Sequence, residues 1–380
     1  MKALIVQAGP LSAHDRVVFL RREIPLVRQL AADGVQTIVA LLGDAGGVRA
    51  DMAAAAADVT VLPLQPSPAA GIRTLPGALV GLRAFIDRHA PIVVDASDPL
   101  AAIATALAVR GRDRRTRPVV LYRRHFYLGR LQNRCASRLA ARLSDRCVAS
   151  CESTRRFFAE ADRTPIRDID IASSGIAEPP ALDPREVASA RQALDIADSA
   201  FVIAVVAKLS WRKGVDVLIR AIDRLHAQQP SRDIHLIVVG NGQAEAGLRR
   251  QAAGVRAPIH WLGSRDDVHR WMAASDVIVM PSRGECFGRV TLEAMSLGRP
   301  LVASRVGGLQ DAVVDGETGL LVPVGDAHAL AEALASLARD PERLKRMGEA
   351  ARARFESHYT ITHMATSWRR AWERAVSDRH

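Results

Sequence analysis

Glu285 and Glu293, separated by seven residues, flank a glycine-bearing loop in which a helix begins; the run from Val277 to Gly308 reads VIVMPSRGECFGRVTLEAMSLGRPLVASRVGG. Val277 to Met280 is a short apolar run closed by Pro281 and Ser282, which predicts a buried strand ending at a turn. Arg283 to Arg289 carries two arginines, Glu285 and two glycines, a composition foreign to a core. Beyond it Val290, Leu292, Ala294, Met295 and Leu297 share one broad side of a helix that Gly298 and Pro300 stop. The unpaired N–H groups and the macrodipole of a helix N-terminus both favour an anion there. Two carboxylates beside such a site would repel a bare phosphate, so they are expected to hold hydroxyls of something attached to it.

Two further loops carry matching chemistry. Lys208-Leu-Ser-Trp-Arg-Lys213-Gly214 follows the apolar run Phe201 to Ala207, and fixed cations at the end of a buried strand suit a diphosphate better than a monoanion. Surface lysines are also common, so this loop alone decides little. Gly240-Asn241-Gly242 either brings backbone close to a ligand or is an ordinary strand-to-helix turn. No Asp-x-Asp pair and no histidine cluster lies near these loops, so no metal is expected, and Lys208, Lys213, backbone N–H groups and the helix dipole are left to hold a diphosphate.

The elements that must position these loops form two alternating series. The first runs through apolar strands at Ala3 to Ala8, Thr37 to Leu42, Val59 to Leu64, Ile92 to Asp95, Val119 to Tyr122 and Cys147 to Ala149, with helical stretches between them, the first interrupted by Pro25. The second runs through Phe201 to Ala207, His235 to Gly240, Ile259 to Leu262, Val277 to Met280 and Gly319 to Val322, and closes in helices to Val376. Strands with almost no in-and-out alternation, joined by helices, imply parallel sheets covered on both faces. The proline-rich AEPPALDP at Ala177 to Pro184 is the natural linker. The expected architecture is α/β: residues 1–176 as one Rossmann-like doubly wound domain, 177–358 as a second, and 359–380 as a helix returning to the first, with Trp368 and Trp372 on one core-facing side. Ligands of such sheets bind at the carboxyl ends of the strands, so a cleft between the domains is the expected site.

Composition narrows the function. Charged residues at 24% and hydrophobic ones at 48% describe a globular chain, and no apolar run is long enough to span a membrane. The N-terminus goes straight into a strand pattern with no cleavage site, and the four scattered cysteines fit a reducing cytoplasm, so a cytoplasmic protein is expected. The net charge is +11, and Arg110 to Arg156 holds fourteen arginines against three acids. Such a patch suits nucleic acid, anionic lipid or a phosphorylated small molecule, or is a plain solvated surface. Aromatic residues at 4% leave little for base stacking, and no nucleic-acid partner is expected.

The order of Lys208-x4-Lys213-Gly, then Gly-Asn-Gly, then PSRGECFGRVTLEAMSLGRPLVAS, then Val306-Gly307-Gly308, then Asp315-Gly-Glu-Thr-Gly-Leu-Leu-Val-Pro323 closely resembles the retaining glycosyltransferases of family GT4, which have the GT-B fold. Glu285 and Glu293 match that family's E-x7-E signature. The resemblance covers roughly Ser199 to Arg354; the first domain is similar only in layout. It implies that Lys213 contacts the donor diphosphate, with Lys208 standing where arginine is usual; that Glu293 binds the ribose hydroxyls; that Glu285 lies beside the transferred sugar; and that backbone N–H groups of Phe287, Gly288, Arg289 and Val290 meet sugar and phosphates. In the first domain it implies a glycine loop after strand one, here with the single Gly9, and a histidine after a later strand, best matched by His125.

The function so implied is a retaining, metal-independent, hexosyltransferase-type enzyme. It would move a sugar from a nucleotide diphosphate donor, expected to be a UDP-sugar, to the hydroxyl of a saccharide, a secondary metabolite or a lipid-linked glycan, with no cofactor. The patch from Arg110 to Arg156 would then offer a peripheral contact with anionic membrane at the inner face of the cell. The alternative is a GT-B-like nucleotide-sugar epimerase.

Overall fold

The computed structural model describes residues 1–8, 13–42, 58–62, 75–123 and 131–378 of the 380. The chain divides into two compact units, Met1–Ile176 together with Ile361–His380, and Ala177–Thr360.

The first unit is built on seven parallel strands, β1 (Lys2–Ala8), β2 (Gln36–Leu42), β3 (Asp58–Leu62), β4 (Val93–Ala96), β5 (Val119–Arg123), β6 (Arg146–Ala149) and β7 (Ile169–Ile171), in the spatial order β3-β2-β1-β4-β5-β6-β7. The reversal of order at β1 is the mark of a doubly wound sheet. Leu4 of β1 sits opposite Ile38 on one side and Val94 on the other, and Ala3 to Val6 are fully buried, which is why this stretch of the strand is apolar at every position. Pro25 lies inside the helix Ala13–Ala32 and does not end it. A proline removes one helical hydrogen bond; burial of Leu26, Val27 and Leu30 against the sheet holds the helix together across that gap.

The helix Ile361–Ser377 completes this unit. Met364, Ala365, Trp368, Ala371 and Trp372 are buried in one cluster with Leu26, Leu30, Val93, Val119 and Leu121. Burial of so many large side chains at roughly 25 cal/mol per Å² is ample to anchor a helix that follows a 184-residue second unit in the chain. Under Trp368 lies a sealed ionic cluster. Arg123, the last residue of β5, stacks 4.1 Å from that ring, donates to Asp95 through Nε at 3.2 Å and Nη2 at 2.6 Å, and donates to Glu23 through Nη1 at 2.6 Å.

The second unit holds six parallel strands, β8 (Phe201–Val206), β9 (Ile234–Val239), β10 (Ile259–Gly263), β11 (Val277–Met280), β12 (Leu301–Ser304) and β13 (Gly319–Val322), in the order β10-β9-β8-β11-β12-β13. Order reverses here at β8, so the loops after β8 and β11 leave neighbouring strands at their carboxyl ends. The proline-rich stretch is shorter as a linker than its composition suggests. Pro184 already opens the helix Pro184–Gln192, with Asp183 and Glu186 forming a reciprocal cap. At the other end the unit runs to Thr360, because the Tyr359 ring packs edge-on to Phe287 at 5.3 Å between centroids. Among the described residues no helix is long and apolar enough to cross a membrane.

Candidate functional site

Glu285 and Lys213 meet. The Lys213 ammonium donates to Glu285 Oε2, and Arg212 Nη1 lies 3.9 Å from Oε1 of the same carboxylate. Lys213 ends the turn Trp211–Lys213 after β8, and Glu285 lies in the loop after β11. The topological switch point therefore brings together charges 72 residues apart in sequence.

Several contacts lace these two loops together. Arg283 N donates to Arg212 O at 2.8 Å, and Arg212 Nη1 donates to Gly284 O at 3.0 Å. The Arg283 guanidinium takes Asp216 bidentately, Nη1 to Oδ1 at 2.7 Å and Nη2 to Oδ2 at 2.6 Å, and also donates to Trp211 O at 2.7 Å. Burial alone would raise the Asp216 carboxyl, but the hydrogen bonds and charge of Arg283, helped by Arg220, hold it below its ordinary value. The same hydrogen bonds hold Arg283 above its own. Arg283 also packs 4.8 Å from the Trp211 ring, whose indole is 71% exposed. The Arg283–Asp216 clamp leaves no local signal in sequence, since its members are 67 residues apart on different loops.

Glu285 is held from behind by backbone. Gly307 has φ +49°, and a Cβ there would sit 1.8 Å from the Glu285 carbonyl oxygen, so only glycine lets the 307–308 turn approach. Gly308 N donates to that same carbonyl at 3.3 Å. Gly288 precedes the helix Arg289–Ser296, and Thr291 in its first turn carries a buried hydroxyl without a hydrogen-bond partner among the described residues. Glu293 is buried one turn further along and accepts from Arg289 Nε at 2.9 Å. The Phe287 side chain is buried against Tyr359, so what it has to offer a ligand is its backbone. Val290 is half-buried beside it.

Lys208 is exposed at the start of the first loop and makes no ion pair among the described residues. Gly240 stands at the carboxyl end of β9 with φ +128°, and a Cβ on it would lie 1.9 Å from the Ala207 carbonyl oxygen. The close approach that makes it glycine is therefore to the neighbouring strand end. Leu209 N donating to Asn241 O at 2.8 Å and Ala244 N donating to Leu209 O at 3.0 Å continue that seam, so the Gly-Asn-Gly loop buttresses the lysine loop. Gly9 and His125 lie outside the described residues.

The arginine patch is less uniform than its sequence. Arg123 is buried in the ionic cluster, Arg117 is paired with Asp145, Arg146 with Asp170 and Asp378, Arg112 with Asp87, and Arg155 and Arg156 with Glu152. Acids from outside the run, Asp87, Asp95, Asp170 and Asp378, supply much of this pairing, which no count within residues 110–156 could register.

Residues 200–340 match the family model of the glycosyl transferases group 1, and residues 25–177 match that of glycosyltransferase family 4. Among curated proteins the chain is 39% identical over 181 residues to a D-inositol 3-phosphate glycosyltransferase of Kribbella flavida, a stretch that is 44% of this chain and 42% of that protein. It is 36% identical over 186 residues to a GDP-mannose-dependent monoacylated alpha-(1-6)-phosphatidylinositol monomannoside mannosyltransferase of Corynebacterium glutamicum, covering 47% of this chain and 48% of that one. The matched stretch is thus less than half the length of either relative. Among solved structures, the Anabaena protein HepE in complex with UDP superposes with a TM-score of 0.80 at 21% identity over 98% of this chain and 100% of its own. A Rickettsia africae glycosyltransferase does so at 0.82 and 17% identity, over 99% of each chain. Two doubly wound parallel-sheet units shared with these structures make the fold GT-B.

Proposed function

We propose that this chain, whose residues 25–177 and 200–340 match the family models of glycosyltransferase family 4 and of the glycosyl transferases group 1, is a retaining transferase moving a sugar from a UDP-sugar to an acceptor hydroxyl. The observation that carries this reading is the Lys213–Glu285 pair, set at the carboxyl ends of β8 and β11 beside the N-terminus of the helix Arg289–Ser296.

The Glu285 carboxylate accepts from the Lys213 ammonium. An arriving diphosphate carries more negative charge than one carboxylate and displaces it. Lys213 then turns to the leaving phosphates, with Lys208 and the N–H groups of Phe287 to Val290 adding to their stabilisation. Glu285, released, accepts hydroxyls of the sugar and offsets positive charge growing at the anomeric carbon. Glu293 gives one oxygen to Arg289 and offers the other to the ribose hydroxyls. Attack comes from the face the phosphate leaves: the acceptor oxygen bonds to the anomeric carbon, the bond from that carbon to the phosphate oxygen breaks, and the acceptor proton passes to that phosphate oxygen. The cationic side chains carry the leaving-group charge in this scheme without a metal.

The proposed acceptor is the hydroxyl of a saccharide or lipid-linked glycan. Incubation with UDP-glucose and candidate acceptors, read by NMR, should give UDP and an α-linked product. Free epimerised donor without UDP release would instead make the protein an epimerase, and a glycosyl adduct on Glu285 would overturn front-face attack. A melting-temperature panel of UDP, GDP, ADP and dTDP identifies the base. Co-sedimentation with anionic liposomes at low and high salt tests the lipid-linked acceptor, because attraction through surface charge fades with ionic strength.

A further inference from the structure

The second unit contains a cavity of about 550 Å³ at the amino ends of β11 and β12, the opposite end of the strands from the loop that carries Glu285. Asp276 and Pro300, which line it, immediately precede β11 and β12, whereas the lysine and glutamate loops follow β8 and β11. The helix Arg289–Ser296 separates the two places, about 12 Å of helix at 1.5 Å per residue. Its size lies within the ~300–1,000 Å³ of small-molecule sites. Its shape is fixed by close packing: a Cβ on Gly348 would fall 2.3 Å from the Gly298 carbonyl oxygen, so the helix Pro341–His358 lies directly on the chain there.

Six charged side chains line the walls: Asp276, Arg299, Lys345, Glu349, Arg352 and Glu356. Three are already committed. Asp276 accepts from Arg191 Nη2 at 2.9 Å and from Val202 N at 2.7 Å. Arg352 donates to Glu356 through Nε at 2.6 Å, and its other nitrogens take Ser296 O and Glu178. Arg299 is different. Its Nε is buried, and the side chain makes no hydrogen bond among the described residues. Burial pulls its guanidinium below the ordinary value, opposed by Asp276 and reinforced by Arg191. Arg299 as a whole is half-buried, and a buried N–H such as its Nε is costly to leave without an acceptor. Lys345 and Glu349 stand exposed one turn apart on the facing helix.

We propose that this cavity is a second ligand site of the second unit, taking a small phosphorylated or carboxylated metabolite whose anionic group pairs with Arg299 and Lys345. A planar guanidinium suits either oxyanion bidentately. Glu349 and Glu356 on the wall disfavour an extended polyanion and suit a ligand that also carries hydroxyl or ammonium donors. The site is independent of the donor chemistry proposed above.

Calorimetric titration with inorganic phosphate and, separately, with citrate, at ionic strength held constant with sodium chloride, tests this. The Lys213→Ala protein serves as the parent, because it lacks the ammonium expected to hold phosphate at the donor site. It should bind one anion per chain, and phosphate binding tighter than citrate would mark a phosphoryl group as the natural ligand, the reverse a carboxylate. Adding Arg299→Gln should weaken that binding at least about tenfold, the size of a lost charge-assisted hydrogen bond. Adding Lys345→Ala instead, an exposed change that leaves packing intact, should weaken it severalfold. Absence of both anions from the folded Lys213→Ala protein would overturn the proposal, as would affinities unmoved by either added change.

Discussion

Both sheets place charge at the carboxyl ends of their strands, and they use it in opposite ways. In the first unit Arg123 ends β5 and is buried at 3% side-chain exposure between Asp95 and Glu23, both at 0%, with Trp368 over its face. Burial opposes the Arg123 charge, yet its two acids outweigh it and raise the guanidinium above its ordinary value. Glu23 is likewise opposed by burial and lowered by Arg123 and Arg22, whereas for Asp95 burial prevails and raises it. In the second unit Lys213 and Glu285 are 16% and 10% exposed, with Arg212 at 42% beside them. A sealed set of charges answers only to itself and serves the fold. The partly exposed pair next to a helix N-terminus is the one that, in the function proposed above, exchanges partners with a ligand. Accessibility separates the two, because the residue types are the same.

If that division holds, the largest effect of mutation should be on stability in the first unit. Arg123→Leu leaves the buried Asp95 without its cation and Glu23 with Arg22 alone, and should cost about 3–5 kcal/mol, read from urea unfolding; a loss below about 1 kcal/mol would show the cluster to be wet. Lys213→Ala should act the other way, lowering kcat by about 10²–10³ while changing stability by no more than about 1 kcal/mol, since Arg212 remains near Glu285. Equal damage to stability would make the open pair structural too. Arg283→Ala touches neither member of that pair but removes the clamp between their loops. A drop of about tenfold in kcat/KM is expected from misplacement, with only partial rescue by Arg283→Lys, which lacks the bidentate fork. The smallest effect concerns acid. Asp216 titrates below its ordinary 3.8, so its contribution is present above that pH and is lost as pH falls through its lowered folded value. Asp216→Asn should therefore flatten the loss of stability between about pH 5 and pH 2 by under about 1 kcal/mol; an unchanged acid limb would mean the clamp carries no stability.

Much of the frame was legible from the chain alone. Buried parallel strands carry near-continuous apolar runs, so stretches such as Leu4 to Val6 and Val277 to Met280 declare themselves. Glycines forced by close approach declare themselves as well, but without saying what approaches. Gly240 turns out to face Ala207 O and to brace the lysine loop. Pro25 warned of a helix break that packing against the sheet prevents. The strand β7 is only Ile169–Ile171, and the helix Glu152–Asp162 buries Thr154, Phe158 and Asp162, two of them polar, so neither shows an apolar run or stripe in sequence.

What sequence determined by itself was local and ordered along the chain: the two alternating series, the linker, the E-x7-E helix entry and the basic loop after β8. What only tertiary structure decided was pairing at a distance. Asp216 with Arg283, Lys213 with Glu285, Arg123 with Asp95 and Glu23, and a buried Arg299 Nε with no hydrogen-bond acceptor among the described residues are all set by which strand ends the topology brings side by side. A charge has the same letter whether it is sealed, clamped or open; burial and partner, which determine its energy and its use, exist only after the sheet has closed.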